Sequence, residues 1–265
     1  MTGATARLAD LAGRDATLAP LARLQAVALR ALADDPAWRE AALAVAPARA
    51  DGAVLLHGAE IALPRASGRR LLDALTPDAS EIDPLALIEA TIAQREVEVE
   101  ALASIARMEP STLMAIGQLL ARPLLLAIGE RAAEREWSAG HCPVCAAWPL
   151  LAELRGIDRA RILRCGRCAA AWPFRHAECV FCGNGDHRTL GYLAPERERE
   201  SRRASTCERC HGYVKAVATL KPLDAEDLAF TDLVTVELDL AAIESGFGRP
   251  SAPAVELDIA IRSAE

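Results

Sequence analysis

LRCGRCAAAWPFRHAECVFCGN, residues 163–184, holds two Cys-x-x-Cys pairs with ten residues between Cys168 and Cys179, and these pairs set the architecture of the C-terminal half. Two further pairs flank it, in HCPVCAAWP (141–149) and STCERCHGYVKAV (205–217). The chain's eight cysteines, Cys142, Cys145, Cys165, Cys168, Cys179, Cys182, Cys207 and Cys210, all lie in this region, each in such a pair.

Three chemistries use this pattern. Structural disulfides do not persist in a reducing compartment, and a two-residue spacer makes a poor bridge. Thioredoxin-like redox catalysis needs one pair at a helix N-terminus in a βαβ setting, which four pairs among short strands do not resemble. Metal binding fits, because each pair offers two thiolates from one tight turn and a tetrahedral ion needs two such turns facing across a hairpin. Nineteen residues separate Cys145 from Cys165 and twenty-four separate Cys182 from Cys207, so the spacing groups the first pair with the second and the third with the fourth. An interleaved grouping stays open on spacing alone. The expected fold class is α+β: a helical N-terminal domain, two tandem rubredoxin-like or zinc-ribbon modules, and a C-terminal helix.

Four thiolates suit zinc or iron, and ligand type does not separate them. Rubredoxin-type turns favour glycine after the second cysteine, yet only Gly183 meets that pattern, against Ala146, Ala169 and His211. Residues 141–221 carry fourteen Lys and Arg against eight Asp and Glu, a local +6, while the remainder carries −13 of the net −7. Four thiolates on a divalent ion leave a charge of −2, so the arginines read as balancing the two sites rather than as a nucleic-acid surface. With four sulfurs at each site, His141 and His211 are expected to be spectators, and His176 to lie in an aromatic linker that packs one module on the other. His187 reads as hairpin surface and His57 as an isolated loop residue.

Before residue 140 the chain reads as helices. Pro20 opens one, Asp35-Pro36 and Asp83-Pro84 place a capping carboxylate ahead of a first-turn proline, and Pro47 ends the helix after Pro36. Apolar residues from Leu85 to Leu102 recur with helical period, predicting one long helix from Pro84 to about Arg107. Another is expected from Ser111 to about Trp137, kinked at Pro123. Residues 47–80 read as loop with one short helix, 66–75. The expected division is a helical domain over 1–138, a metal-binding domain over 139–222, and a helix with a loosely held tail over 223–265.

The high content of Ala, Leu, Arg and Glu favours helix and excludes a disordered chain. The best membrane candidate, Leu113 to Gly129, is broken by Gln118, Arg122 and Pro123, and the N-terminus lacks the basic-then-apolar order of a signal peptide. A cytoplasmic protein without membrane insertion is expected. No Ser/His/Asp set, paired-carboxylate motif or phosphate-binding glycine loop supports hydrolase or nucleotide chemistry.

With those residues read, the order CPVCAAWP (142–149), LRCGRCAAAWPFRHAECVFCGN (163–184), LGY (190–192) and STCERCHGYVKAV (205–217) resembles the formate dehydrogenase accessory protein family, FdhE. The resemblance spans about residues 141–221 and includes Tyr213 and Lys215 after the fourth pair. Members often carry an acidic residue where this chain has Ala171. The resemblance implies a cytoplasmic assembly factor, not an enzyme, that binds the catalytic subunit of a formate dehydrogenase and carries rubredoxin-like iron, with zinc as the other candidate. Beside the cysteines, Trp172, Arg175, Tyr213 and Lys215 are expected to serve packing or contact. A nucleic-acid-binding zinc ribbon and a small iron redox carrier are the rival readings, and the sequence leaves the oligomeric state open.

Overall fold

The computed structural model describes residues 5–45, 53–132, 137–198 and 200–264. The chain packs as two units, Met1–Ala132 with Glu256–Glu265, and Ala133–Val255. The sequence reading expected three consecutive segments; instead the helices after residue 223 belong to the cysteine-bearing unit, and the last ten residues return to the helical one.

The first unit contains α1 (Ala6–Arg14), α2 (Ala19–Asp34), α3 (Ala37–Leu43), β1 (Ala59–Pro64), α4 (Arg65–Leu75), α5 (Pro84–Ala93), α6 (Glu96–Ala106) and α7 (Pro110–Arg131). The predicted caps form: Asp83 Oδ1 accepts from the Leu85 N–H at 3.1 Å and Asp35 Oδ1 from the Ala37 N–H at 3.1 Å. Pro47 lies outside the described residues. α7 is the core helix, and α2 to α6 pack on it. It runs through Pro123 and ends at Arg131, short of Trp137. In length and composition α7 could cross a membrane, longer than the interrupted apolar run suggested, but 67% of its apolar window is buried inside the protein. Gly117 allows the close approach of α5, since a side chain there would run into Thr91 and Leu87.

Two expectations for this unit are corrected. The single helix from Pro84 is two, because Gln94 turns left-handed at φ 58°. The apolar period continues across that break, yet α6 buries only Val99 and Ala103. Residues 47–80 hold a strand as well as a helix: β1 pairs in parallel with β8 (Ile259–Ala264), from Ala59 opposite Ile259 to Pro64 opposite Ala264. The tail is therefore held, and Glu89 on α5 accepts the Ile261 N–H at 2.7 Å.

The second unit is built on one six-stranded sheet, order β4-β3-β2-β7-β6-β5. Its strands are β2 (Leu151–Arg155), β3 (Ala160–Arg164), β4 (Ala171–Pro173), β5 (Leu190–Leu193), β6 (Arg202–Cys207) and β7 (Gly212–Thr219). Each cysteine module supplies three antiparallel strands, and the parallel pairing of β2 with β7 joins them. The two ribbons thus share one sheet. α8 (Ala225–Val234) and α9 (Val236–Glu244) lie on one of its faces, packing Leu228 against Leu151 and Val217, and Leu238 and Ala242 against Ala204 and Tyr213. The expected C-terminal helix is thus a pair, broken at Thr235, whose Oγ1 caps back to the Thr231 carbonyl at 2.7 Å.

Candidate metal centre

The first pair, 142–145, precedes β2, and the second, 165–168, follows β3, so the β2–β3 hairpin brings these turns together. The third pair, 179–182, follows β4, and the fourth forms the β6–β7 turn, where Cys207 pairs with Gly212. All eight sulfurs gather into two sets, Cys142, Cys145, Cys165 and Cys168, and Cys179, Cys182, Cys207 and Cys210; within each, the sulfurs lie within 4.8 Å of one another. The grouping is the one spacing favoured, and the interleaved alternative is overturned.

One backbone turn recurs four times. The residue after each second cysteine has positive φ: Ala146 56°, Ala169 57°, Gly183 67° and His211 52°. In the first three turns its N–H donates to the carbonyl of the first cysteine, at 3.1, 3.1 and 3.0 Å. The residue two after each second cysteine, Ala147, Ala170 or Asn184, accepts the first cysteine's N–H at 2.9 Å in each case. The missing glycines therefore do not change the turn; the three non-glycine residues bear a left-handed conformation that costs roughly 1–2 kcal/mol each. Val144 N–H and Arg167 N–H each point at a sulfur, Cys142 Sγ and Cys165 Sγ, at 3.4 Å.

The sulfur geometry fits a tetrahedral ion. With metal–sulfur bonds of about 2.3 Å, the edges of a tetrahedron are about 3.8 Å long. Sulfur separations are 3.5 Å for Cys142–Cys168 and Cys145–Cys165, 3.9 Å for Cys145–Cys168, 3.6 Å for Cys179–Cys210 and 3.8 Å for Cys182–Cys207. No disulfide joins any of them.

The two sets differ in enclosure. All four cysteines of the first are buried, whereas Cys182 and Cys210 of the second are exposed. Burial pushes the Cys142 and Cys168 thiols well up, while hydrogen bonds from Cys142, Cys145 and Cys168 hold Cys165 well below the usual thiol range. In the second set burial opposes ionisation of Cys207, but N–H groups of Cys210 and Arg209 and the Asn184 amide prevail and bring it to about 7. A divalent cation bound at such a centre would replace the protons that crowded thiols otherwise share.

The surroundings sort the other candidates. Trp172 is buried and its Nε1 donates to the Ala139 carbonyl at 3.2 Å. Arg175 is largely exposed and pairs with Glu178 at 2.6 Å. His141 sits edge-on between Trp137 and Trp148, His211 lies against Phe247, and His176 Nε2 accepts the Arg161 N–H at 3.2 Å. None of the three belongs to either sulfur set. His187 and His57 are exposed. The modules meet through Trp148 and Phe181, edge to face at 5.3 Å, and Gly140 leaves room for the Val180 backbone.

Two buried charges hold the sheet to what surrounds it. Lys215 is 0% exposed and pairs with Asp232 and Asp239, each at 2.6 Å. Glu153, also fully buried, accepts from Arg155 Nε at 3.0 Å, Thr219 Oγ1 at 2.9 Å and the Leu223 N–H at 3.2 Å, and pairs with Arg164. Burial raises the Glu153 carboxyl, but Arg155, Arg164 and Thr219 bring it below its ordinary value. Sequence reasoning singled out Lys215 and missed Glu153, Asp232 and Asp239.

A shared sheet bearing two four-cysteine sets defines a metal-binding module of the double-ribbon class. Residues 177–255 match the family model described as FdhE, C-terminal domain. A protein named FdhE homolog from Aquifex aeolicus is 34% identical over 115 residues, 42% of this chain and 40% of that one. One from Stutzerimonas stutzeri is 32% identical over 111 residues, 41% of this chain and 35% of that one. The chain thus spans about two fifths of the length of the curated relatives it matches. Over 96% of this chain and 94% of the other, the fold resembles the crystal structure of the FdhE protein from Pseudomonas aeruginosa, with a TM-score of 0.57 and 22% identity. The resemblance to the FdhE family read from the cysteine motifs is borne out.

Proposed function

We propose that this protein is a cytoplasmic accessory factor that binds the catalytic subunit of a formate dehydrogenase during its maturation. It holds one metal ion in each four-cysteine set, with Cys142, Cys145, Cys165 and Cys168 as ligands of one and Cys179, Cys182, Cys207 and Cys210 of the other. It is not itself an enzyme. The observation that carries this reading is the pair of four-sulfur sets on one sheet, in the segment that matches the FdhE C-terminal domain. Rubredoxin-like iron, the ion the resemblance favours, would supply a one-electron couple when bound; zinc would supply structure alone. In either case the four turns present the sulfurs, the N–H groups of Val144 and Arg167 point toward two of them, and Asn184 Nδ2 approaches Cys207 Sγ at 3.6 Å.

The nucleic-acid reading loses its main support. Arg164, Arg188 and Arg202 are paired with carboxylates, and Arg161 is tied to three backbone carbonyls. The test is genetic and biochemical. In a strain lacking this gene and any second copy, formate dehydrogenase activity should fall while its polypeptide is still made, and Cys179→Ser should fail to restore it. Normal activity in that strain would overturn the assignment.

A further inference from the structure

Side chains alternate across a strand, so the sheet has a second face opposite α8 and α9. Ala204, Tyr213, Lys215 and Leu151 point toward the helices. Their neighbours Arg203, Ser205, Val214, Ala216 and Leu154 therefore point the other way, as does Arg161, which pairs with Leu154. On this second face lies a cavity of about 290 Å³, walled by the segment from His176 to Phe181. That size suits a small molecule or a single residue, at the low end of ligand pockets.

Two guanidinium groups serve this one cavity. Arg161 is 8% exposed, and its Nη1 is fixed by the carbonyls of Arg175, His176 and Glu178 at 2.9, 3.3 and 2.8 Å. Arg203 lies over the Tyr192 ring at 5.4 Å. Among the described residues neither has a carboxylate ion-pair partner, and the one acid lining the cavity, Glu178, is taken by Arg175 at 2.6 Å. Two like charges facing one hollow, with apolar walls at Leu154, Val180 and Val214, are arranged for an anion with a hydrocarbon body.

We propose that this cavity binds a carboxylate, its charge between Arg161 and Arg203 and its apolar body against Leu154, Val180 and Val214. A free aliphatic carboxylate and the C-terminal residue of another polypeptide share this chemistry. The inference goes beyond the accessory role and does not depend on it. Cys179 and Cys207 of the second sulfur set also reach the cavity, so the rival role for the arginines is balancing that set's negative charge.

The test uses the full-length, zinc-loaded protein and N-acetyl-leucine, which carries both features, with the neutral N-acetyl-leucinamide as control. Saturable shifts of the Val214 and Ala216 amide signals are expected with the acid and not with the amide. Arg203→Gln should keep its zinc and weaken binding about tenfold or more, the worth of a charge-assisted hydrogen bond. Butyrate binding as well as N-acetyl-leucine would assign the site to free carboxylates. A hexapeptide ending in leucine that binds more tightly than its C-amidated form would assign it to a chain terminus. The proposal is overturned by no saturation with any probe at tens of millimolar, by equal shifts from the amide, or by unweakened binding to Arg203→Gln. Loss of zinc from Arg203→Gln together with no binding by the unmodified protein would instead give the arginines to the metal set.

Discussion

Lys215 Nζ on β7 lies 2.6 Å from Asp239 Oδ2 on α9, and the same carboxylate accepts the Tyr213 hydroxyl at 2.9 Å through its other oxygen. Two residues of one strand, alternating onto the same face, thus share one helix carboxylate. With Asp232 on α8 at 2.6 Å from the same ammonium, this network fastens both helices to the sheet. It gives Tyr213 and Lys215, which follow the fourth cysteine pair, a structural role.

Removing one partner of a buried pair leaves the other uncompensated, so Lys215→Met should destabilise the second unit by about 3 kcal/mol or more. Asp239→Leu combined with Lys215→Met should cost less than the two single changes added together, because the double variant strands fewer charges. Urea unfolding of the zinc-loaded proteins measures both. Additive losses would mean that the ion pair is not the fastening.

The Asp83 cap predicts a pH dependence in the helical unit. Burial raises its carboxyl, but Arg65 and the Leu85 N–H prevail and hold it below the ordinary value. A depressed carboxyl contributes stability that is present above its unfolded value, about 3.9, and lost as pH falls through the lower folded value. Asp83→Ala should therefore cost about 1 kcal/mol at neutral pH. The difference between variant and parent should shrink below about pH 4. A difference that stays constant into acid, read from denaturant midpoints, would show that the carboxylate is not the cap.

The left-handed turns give a substitution that should be tolerated inside a crowded site. Ala169, at φ 57°, bears the strain of a side chain where glycine bears none. Ala169→Gly gains about 1 kcal/mol from relieved strain and loses about 0.8 kcal/mol for a methyl packed against the cluster of Leu151, Val217 and Leu228. Stability should stay within about 0.5 kcal/mol of the parent, with zinc content unchanged. A drop beyond that in thermal unfolding would show that the methyl contributes more than the turn costs.

The cysteine sets were legible because four sulfurs on hairpin-length spacing leave few geometric solutions. The short helices with Asp-Pro starts were legible for a similar reason, since their signals are local. What escaped reading is non-local. β6, RRASTC, has no apolar alternation, as one of its faces meets helices through Ala204 and the other carries Arg203 and Ser205 to a cavity. The β2–β7 pairing joins residues more than sixty positions apart, and β1 finds its partner in the tail. Glu153 looks like the polar position of an alternating strand, and only its four partners explain its burial.

Metal removal should separate the two sets. Zinc-loaded protein is expected to hold two ions per chain, each with four sulfur neighbours by X-ray absorption. A chelator reaches a site through exposed ligands, and only the second set offers them, at Cys182 and Cys210. Release to a chromogenic chelator should therefore be biphasic, one equivalent leaving well before the other. Cys182→Ser should abolish the fast phase and leave the slow one. Structural sites of this type supply on the order of 10 kcal/mol of apparent binding energy, so Cys207→Ser should open residues 179–210 to protease while Met1–Ala132 stays protected. Monophasic release, or a 179–210 segment as resistant as in the parent, would mean that the two sets do not differ in access or that metal does not hold this part of the fold.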